Sequence, residues 1–380
     1  MNLIKNLKRF NFSEPKKADI IIFDEIDIDS IFDLFPKNKK IYILKTRPSE
    51  FLLNFNFNLK FIKNIFIHKK FLFKLKNNNF LIKIISFLRD IRILTVIKIV
   101  KPKLVFSLID NHPRVGRIIK IYNLNLNYIS IQNGLRNSWE RTPICSHDIY
   151  FTYSDRQLKI LKNMGWEFNK VYVNGSFRAA KIFQSKKLNF NISRDILIIS
   201  AWRGNISIDN DYIEQIEAMK LMNIMIADYV KRKNIKVGIL TRSNRNTKDW
   251  FVPYYNLNEE EFYKKIYEGN ADIIENKKLG KSCYEESAKS KICISSLSSL
   301  VYELYLYGIN SFYFNLHKTD KYHKDLPIDI RYKINSQEEL DYVLDNEISK
   351  SFNNSNVKIN SNNIAIDNIK LIKKIINDNS

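Results

Sequence analysis

A chain of 380 residues, 45% hydrophobic and 13% aromatic, can bury two cores of domain size, which excludes disorder along most of its length. Its 62 Lys and Arg against 40 Asp and Glu, a formal charge of +22, point to an anionic partner: nucleic acid, an acidic membrane or a phosphate-bearing substrate. A Lys-, Asn- and Ile-rich coding bias is a second source of that charge, and three cysteines without a CxxC pair fit a reducing cytoplasm better than a disulfide framework or zinc site.

Short apolar runs alternate with helical stretches, the pattern of a parallel α/β sheet. In the first half, strands are expected at 18–24, 40–44, 104–110, 128–132, 148–152 and 171–174. Helices are expected at 80–100, 114–122 and 155–164. Residues 177–194 are polar and basic without a strong period and read as an interdomain linker. The pattern then restarts, with strands at 195–200, 237–241, 271–274, 292–295 and 311–314. Helices follow at 213–231, 299–307 and 336–344, then an Asn/Ser-rich stretch at 351–363 and a final helix at 364–376. The plan is α/β: a Rossmann-like domain over 1–180, a second over 195–350, and a polar linker with terminal helix over 351–380. That helix can cross back onto the first domain.

The first 19 residues hold no continuous apolar run, so no signal peptide is expected. Residues 292–316 carry a single charge, Glu303, yet hold four serines in their first third and Gly308. A buried strand–helix–strand suits them better than a bilayer span. The expectation is a soluble, cytoplasmic protein, peripheral on the inner face of the membrane at most.

The segment KICISSLSSLVYELYLYGINSFYF, 291–314, carries the most chemistry. A buried strand runs into a serine-rich turn, and a helix begins at Ser298 or Ser299. Hydroxyls and free N–H groups at a helix N-terminus hold phosphate. Glu303, one turn after Ser299, is placed to accept from a ribose diol. Gly308 ends the helix. The bland alternative is a serine cap followed by a solvated glutamate.

This S-S-x-x-x-E-x-x-x-x-G pattern at Ser298, Ser299, Glu303 and Gly308 resembles the C-terminal donor-site motif of GT-B glycosyltransferases. It is closest to the bacterial surface-polysaccharide group, which includes capsule and lipopolysaccharide Kdo transferases and polyol-phosphate transferases. YISIQNGLR at 128–136 is similar to their Q-[HN]-G turn, here Gln132, Asn133 and Gly134. The resemblance implies two Rossmann-like domains facing a cleft, with Gln132, Asn133 and Gly134 on the acceptor side. The proline that often follows the glycine is replaced by Ile309 and Asn310.

Ligands in open α/β sheets sit outside the carboxyl ends of strands. Arg203 follows the 195–200 strand, and Arg242 and Arg245 follow the 237–241 strand. Guanidinium forks there suit a diphosphate and a departing nucleotide, without a metal. The strand at 104–110 delivers Asp110 and His112, candidate bases for an acceptor hydroxyl. Helix capping is the competing role for Asp110 or Asn111, and Asp24 with Glu25 is a competing carboxylate pair.

Between 51 and 103, 12 Lys and Arg and nine Phe stand against one acid, Asp90. A membrane-facing patch, an RNA stripe and a solvated face over a Phe-rich core all fit that composition. No RNP, KH or zinc-finger signature accompanies it, so no nucleic-acid partner is expected. Gly280-Lys281-Ser282 lacks the first glycine of a P-loop.

The resemblance implies transfer of a sugar from a nucleotide-sugar, CMP-linked in the Kdo-type members, to a surface-polysaccharide or lipid-linked acceptor. The nucleotide-sugar is substrate, and no further cofactor is called for. A teichoic-type polyol-phosphate transferase and a non-catalytic RNA- or membrane-binding protein are the alternatives.

Overall fold

The computed structural model describes residues 10–11, 14–24, 28–45, 51–52, 55–74, 79–140, 142–184, 191–202, 210–242, 259–276, 281–349 and 354–380. Internal contacts divide the chain into two units. The first holds Met1–Asn133, Arg141–Asn174 and Lys370–Ser380, and the second Gly134–Glu140 and Gly175–Ile369.

The strands of the first unit are β1 (Phe10–Asn11), β2 (Ile20–Phe23), β3 (Ile41–Leu44), β4 (Phe51–Leu52), β5 (Leu104–Ser107), β6 (Asn127–Ile131), β7 (Ser146–Thr152) and β8 (Glu167–Val173). β1 pairs with β4, and the other six form one parallel sheet in the order β3-β2-β5-β6-β7-β8. β2 and β5 are buried along their whole length, as strands covered on both faces must be. The covering helices include α1 (Phe55–His68), α2 (Phe80–Val100), α3 (Arg114–Tyr122) and α4 (Asp155–Asn163). Asn79 caps α2 by accepting from the Leu81 and Ile82 amides at 3.0 and 3.2 Å. Gly116 lets α3 lie directly on β7, because a Cβ there would stand 2.1 Å from the Ser146 carbonyl oxygen.

The second unit holds β9 (Arg194–Ile199), β10 (Val237–Leu240), β11 (Asp272–Ile274), β12 (Ser290–Ser295), β13 (Ser311–Asn315) and β14 (Arg331–Lys333). They form a parallel sheet in the order β11-β10-β9-β12-β13-β14. Its helices include α5 (Phe177–Gln184), α6 (Asn210–Lys233), α7 (Glu259–Tyr267), α8 (Lys281–Ala288), α9 (Ser299–Leu306), α10 (Gln337–Ser349) and the start of α11 (Asn354–Asn379). From Lys370, α11 belongs to the first unit, where Lys373 pairs with Asp33 at 3.4 Å.

Both sheets are doubly wound, and each reverses its direction of growth once: between β2 and β5, and between β9 and β12. A crevice opens at such a reversal, beyond the carboxyl ends of the two strands. These two places locate the candidate chemistry of each unit.

Two segments differ from expectation. Residues 177–184 are helix α5 instead of linker, because Phe177, Ala179, Ala180 and Phe183 are buried and Phe183 stacks on Tyr307 at 4.9 Å. The Asn/Ser-rich stretch is helical from Asn354, since those residues cost a helix only a few tenths of a kcal/mol each, about 0.5. Residues 292–316 contain a strand, a helix and a strand, and among the described residues no helix is long and apolar enough to cross a membrane.

Candidate functional site

In the second unit a cavity of about 240 Å³ opens at the β9/β12 reversal. Ser200 and Ala201 line it from the end of β9, and Arg242 from the end of β10. Leu297, Ser298 and Ser299 line it from the turn into α9. Leu135, Asn137, Trp139 and Glu140 complete the wall. Their segment is anchored by Ser138, whose amide donates to Asp325 Oδ2 at 2.6 Å, and by Trp139, edge-on to Tyr322 at 4.9 Å.

The serine turn is built by its own hydroxyls. Ser295 Oγ donates to the Ile199 carbonyl at 2.7 Å, tying the turn to the neighbouring strand, and accepts from the Ser298 amide at 3.2 Å. Ser298 is the N-cap of α9 and accepts from the Leu300 amide at 3.4 Å. Gly308, at φ 77°, closes the helix, as its position after the apolar run led us to expect. Ser298 takes the Leu300 amide through its hydroxyl and the Val301 amide, at 3.2 Å, through its carbonyl, and Ser298 and Ser299 bring the positive end of α9 to the cavity wall, where it favours an anion.

Arg242 is exposed, and its Nη1 donates to the Trp202 carbonyl at 2.9 Å, which holds one edge of the guanidinium. Beneath it lies Glu259, buried at the start of α7, a residue that no motif singles out. Glu259 Oε1 accepts from the Ser200 hydroxyl at 2.5 Å and from the Arg242 amide at 2.9 Å. One carboxylate thus fixes the ends of β9 and β10. The Asn137 Oδ1 and Trp139 Nε1 atoms are buried and have no hydrogen-bond partner among the described residues. Buried polar atoms are normally satisfied, so an unmet acceptor and donor in a cavity wall suit a bound ligand.

Glu303 is not in that wall. It is buried, and its Oε2 accepts from the Ser176 hydroxyl and from Tyr284 Oη, the latter at 2.6 Å. Spacing from Ser299 sets its helical face, but α8 and the turn before α5 cover that face. Arg203 and Arg245 lie outside the described residues.

In the first unit, the β2/β5 reversal brings together Asp24 and His112. Asp24 follows β2 with φ 74°, an uncommon conformation for a residue with a side chain, and is buried. His112 lies against the Phe23 ring at 5.1 Å, and its buried Nδ1 has no partner among the described residues. Burial pushes its pKa down to about 4, Arg114 adds to this, and the Asp24 charge opposes it. The imidazole is therefore neutral at neutral pH, its burial disfavouring the protonated form and the Asp24 charge favouring it.

Asp110 is differently placed. It is fully buried, accepting from Tyr150 Oη at 2.7 Å and more weakly from the Asn133 amide at 3.4 Å. The carboxylate holds the fold together where an accessible base was expected. Gln132 is buried too, donating to Gln157 at 2.7 Å and accepting from Thr152 Oγ1 and the Tyr153 amide at 2.8 and 2.9 Å. With its amide occupied in the described residues, it shapes the turn. Asn133 is half-buried and ends the first unit's main segment, and Gly134 begins the Gly134–Glu140 segment of the second. Glu25 lies outside the described residues.

No protein-family model and no curated protein sequence matches the chain. Among solved structures it is similar to the UDP complex of MnaA from S. aureus, with TM-score 0.53 and 12% identity over 95% of this chain and 97% of that one. It is also similar to a UDP-GlcNAc 2-epimerase from Neisseria meningitidis bound to UDP-GlcNAc. There the TM-score is 0.50 and identity 13%, over 92% of this chain and 99% of the other. At such identities the likeness is one of fold. That fold is α/β with two Rossmann-like domains of the GT-B type.

Proposed function

We propose that this chain is a nucleotide-sugar-dependent glycosyltransferase whose donor binds in the second-unit cavity. The carrying observation is the convergence, at the β9/β12 reversal, of the α9 N-terminus, the Arg242 guanidinium and the unmet polar atoms of Asn137 and Trp139. In this reading the diphosphate sits at the positive end of α9 and accepts from the Ser299 amide and hydroxyl, and Arg242 offsets the charge that grows on the leaving phosphate. Arg203 and Arg245 belong to the same donor-binding set. The neighbour in complex with UDP-GlcNAc lends support to a nucleotide-sugar as the ligand class.

His112 is the proposed base. It is neutral, and Asp24 would favour the imidazolium that forms when it takes the acceptor hydroxyl proton. The acceptor proposed is a growing surface polysaccharide or a lipid-linked glycan. The test is release of nucleoside diphosphate or monophosphate from a panel of nucleotide-sugars, with and without lipid-linked acceptor. Release that requires acceptor supports transfer, and no turnover of any donor overturns it.

A second reading, nucleotide-sugar epimerisation, is favoured by the epimerase among the neighbours. It differs in needing no acceptor. Proton NMR of UDP-GlcNAc incubated with the protein alone would then show the C2 epimer accumulating.

A further inference from the structure

The outer face of α1 is apolar. Phe55, Leu59, Ile62 and Phe66 are 73, 52, 48 and 68% exposed. Their spacing of four, three and four places them within about 60° of arc on one side of the helix. Phe57, Phe61 and Ile65 lie about 90–170° round the helix from that stripe, Phe57 in the core and the other two packed against it. Helix α1 therefore has two apolar stripes where a surface helix of a soluble domain has one. Single exposed apolar residues are ordinary, but a full-length stripe is not. Helix α2 repeats the feature in its first half, where Leu81, Ile85 and Leu88 are exposed at spacings of four and three.

Charge supplies the second observation. Lys63, Lys69 and Lys70 are exposed beside the α1 stripe, and Arg89 on α2. The single acid of the whole 51–103 stretch, Asp90, is buried and held by Arg117, Nη2 to Oδ2 at 2.7 Å. Lys60 is taken by Glu14 at 2.6 Å. The surface that surrounds the stripes is cationic.

We propose that α1 and α2 form a docking surface for an anionic lipid bilayer. The aromatic and aliphatic stripe enters the interface while the lysines meet headgroup phosphates. A nucleic acid would satisfy the lysines and leave the apolar stripe exposed to water, and a second copy of the chain would bring lysines against lysines. This inference does not depend on the ligand of the second unit.

The experiment is co-sedimentation of the full chain with phosphatidylcholine vesicles, with and without phosphatidylglycerol, at low and high salt. Three forms are compared: the wild type, a Phe55→Ser/Leu59→Ser/Phe66→Ser variant, and a Lys63→Glu/Lys69→Glu/Lys70→Glu variant. Circular dichroism melts establish that each form is folded. The expected result is selective binding to phosphatidylglycerol vesicles, weakened about tenfold or more in either variant. Three results would overturn it. They are no binding by the wild type, binding unaffected by the serine substitutions, and a change of oligomeric state in the serine variant with vesicle binding intact.

Discussion

The Arg242 amide donates to Glu259 Oε1 at 2.9 Å, so the residue that offers a charge to the cavity is aimed by a buried charge of opposite sign. The same oxygen takes the Ser200 hydroxyl. Replacing Glu259 by Ala leaves both donors without their acceptor. The expected cost is about 2–3 kcal/mol of stability, measured by urea denaturation. Glu259→Gln keeps an acceptor and should cost less.

Arg242→Ala separates support from binding. Because the side chain is exposed, stability should change by less than about 0.5 kcal/mol. Nucleotide affinity should fall about tenfold or more, the value of one charge-assisted contact to phosphate. Calorimetric titration of the wild type and the variant reads this difference.

Glu303 is expected to matter for folding before binding. Glu303→Ala strips the acceptor from Ser176 and Tyr284, both buried with it. A loss of about 2–3 kcal/mol is expected, with nucleotide affinity per folded molecule retained. A variant of full stability and no affinity would return Glu303 to the ligand.

Much of this layout is legible in the amino-acid sequence. Helices at 80–100 and 114–122 stand out as longer stretches between short apolar runs, and the strands through those runs of Ile, Leu, Val and aromatic residues. Order along the chain then places Arg242 and Ser298 at strand ends. Helix α1 escapes notice because its Phe, Lys and Asn residues read, with the rest of 51–103, as a basic aromatic stretch, a composition and not an element. Glu259 escapes because a glutamate opening a helix is ordinary by its letters, and only the ends of β9 and β10 give it partners. Asp110 and Gln132 mislead for the converse reason. A polar residue at a strand end looks available until Tyr150, Thr152 and Gln157 are folded against it.

Acid should destabilise the protein through its histidines. Burial pushes His112 and His317 down to about 4, and His147 and His323 to about 3. Unfolded histidine titrates near 6.5, so as pH falls the unfolded chain takes up protons first. This contribution to stability is whole above about pH 6.5 and drains away as pH falls toward the folded values. The slope is at most about 1.4 kcal/mol per pH unit for each histidine. Urea midpoints at about pH 7 and about pH 5 should differ accordingly, and His147→Phe should narrow the gap.

His112→Gln probes chemistry apart from donor binding. Turnover should fall by roughly 10²–10⁴ with nucleotide affinity unchanged. The wild-type rate should hold steady as pH falls until near the histidine value of about 4. Loss of rate in step with loss of structure would instead make His112 a packing residue.

The measurement closest to the heart of this reading is a thermal shift of the wild type and Arg242→Ala against CMP, CDP, UDP and GDP. A nucleotide at about 100 times its dissociation constant should stabilise the wild type by roughly 2.7 kcal/mol. At the same concentration the arginine variant should respond markedly less. A wild type that answers to none of the four nucleotides, or a variant that answers as strongly as the wild type, would contradict a donor site at the α9 N-terminus.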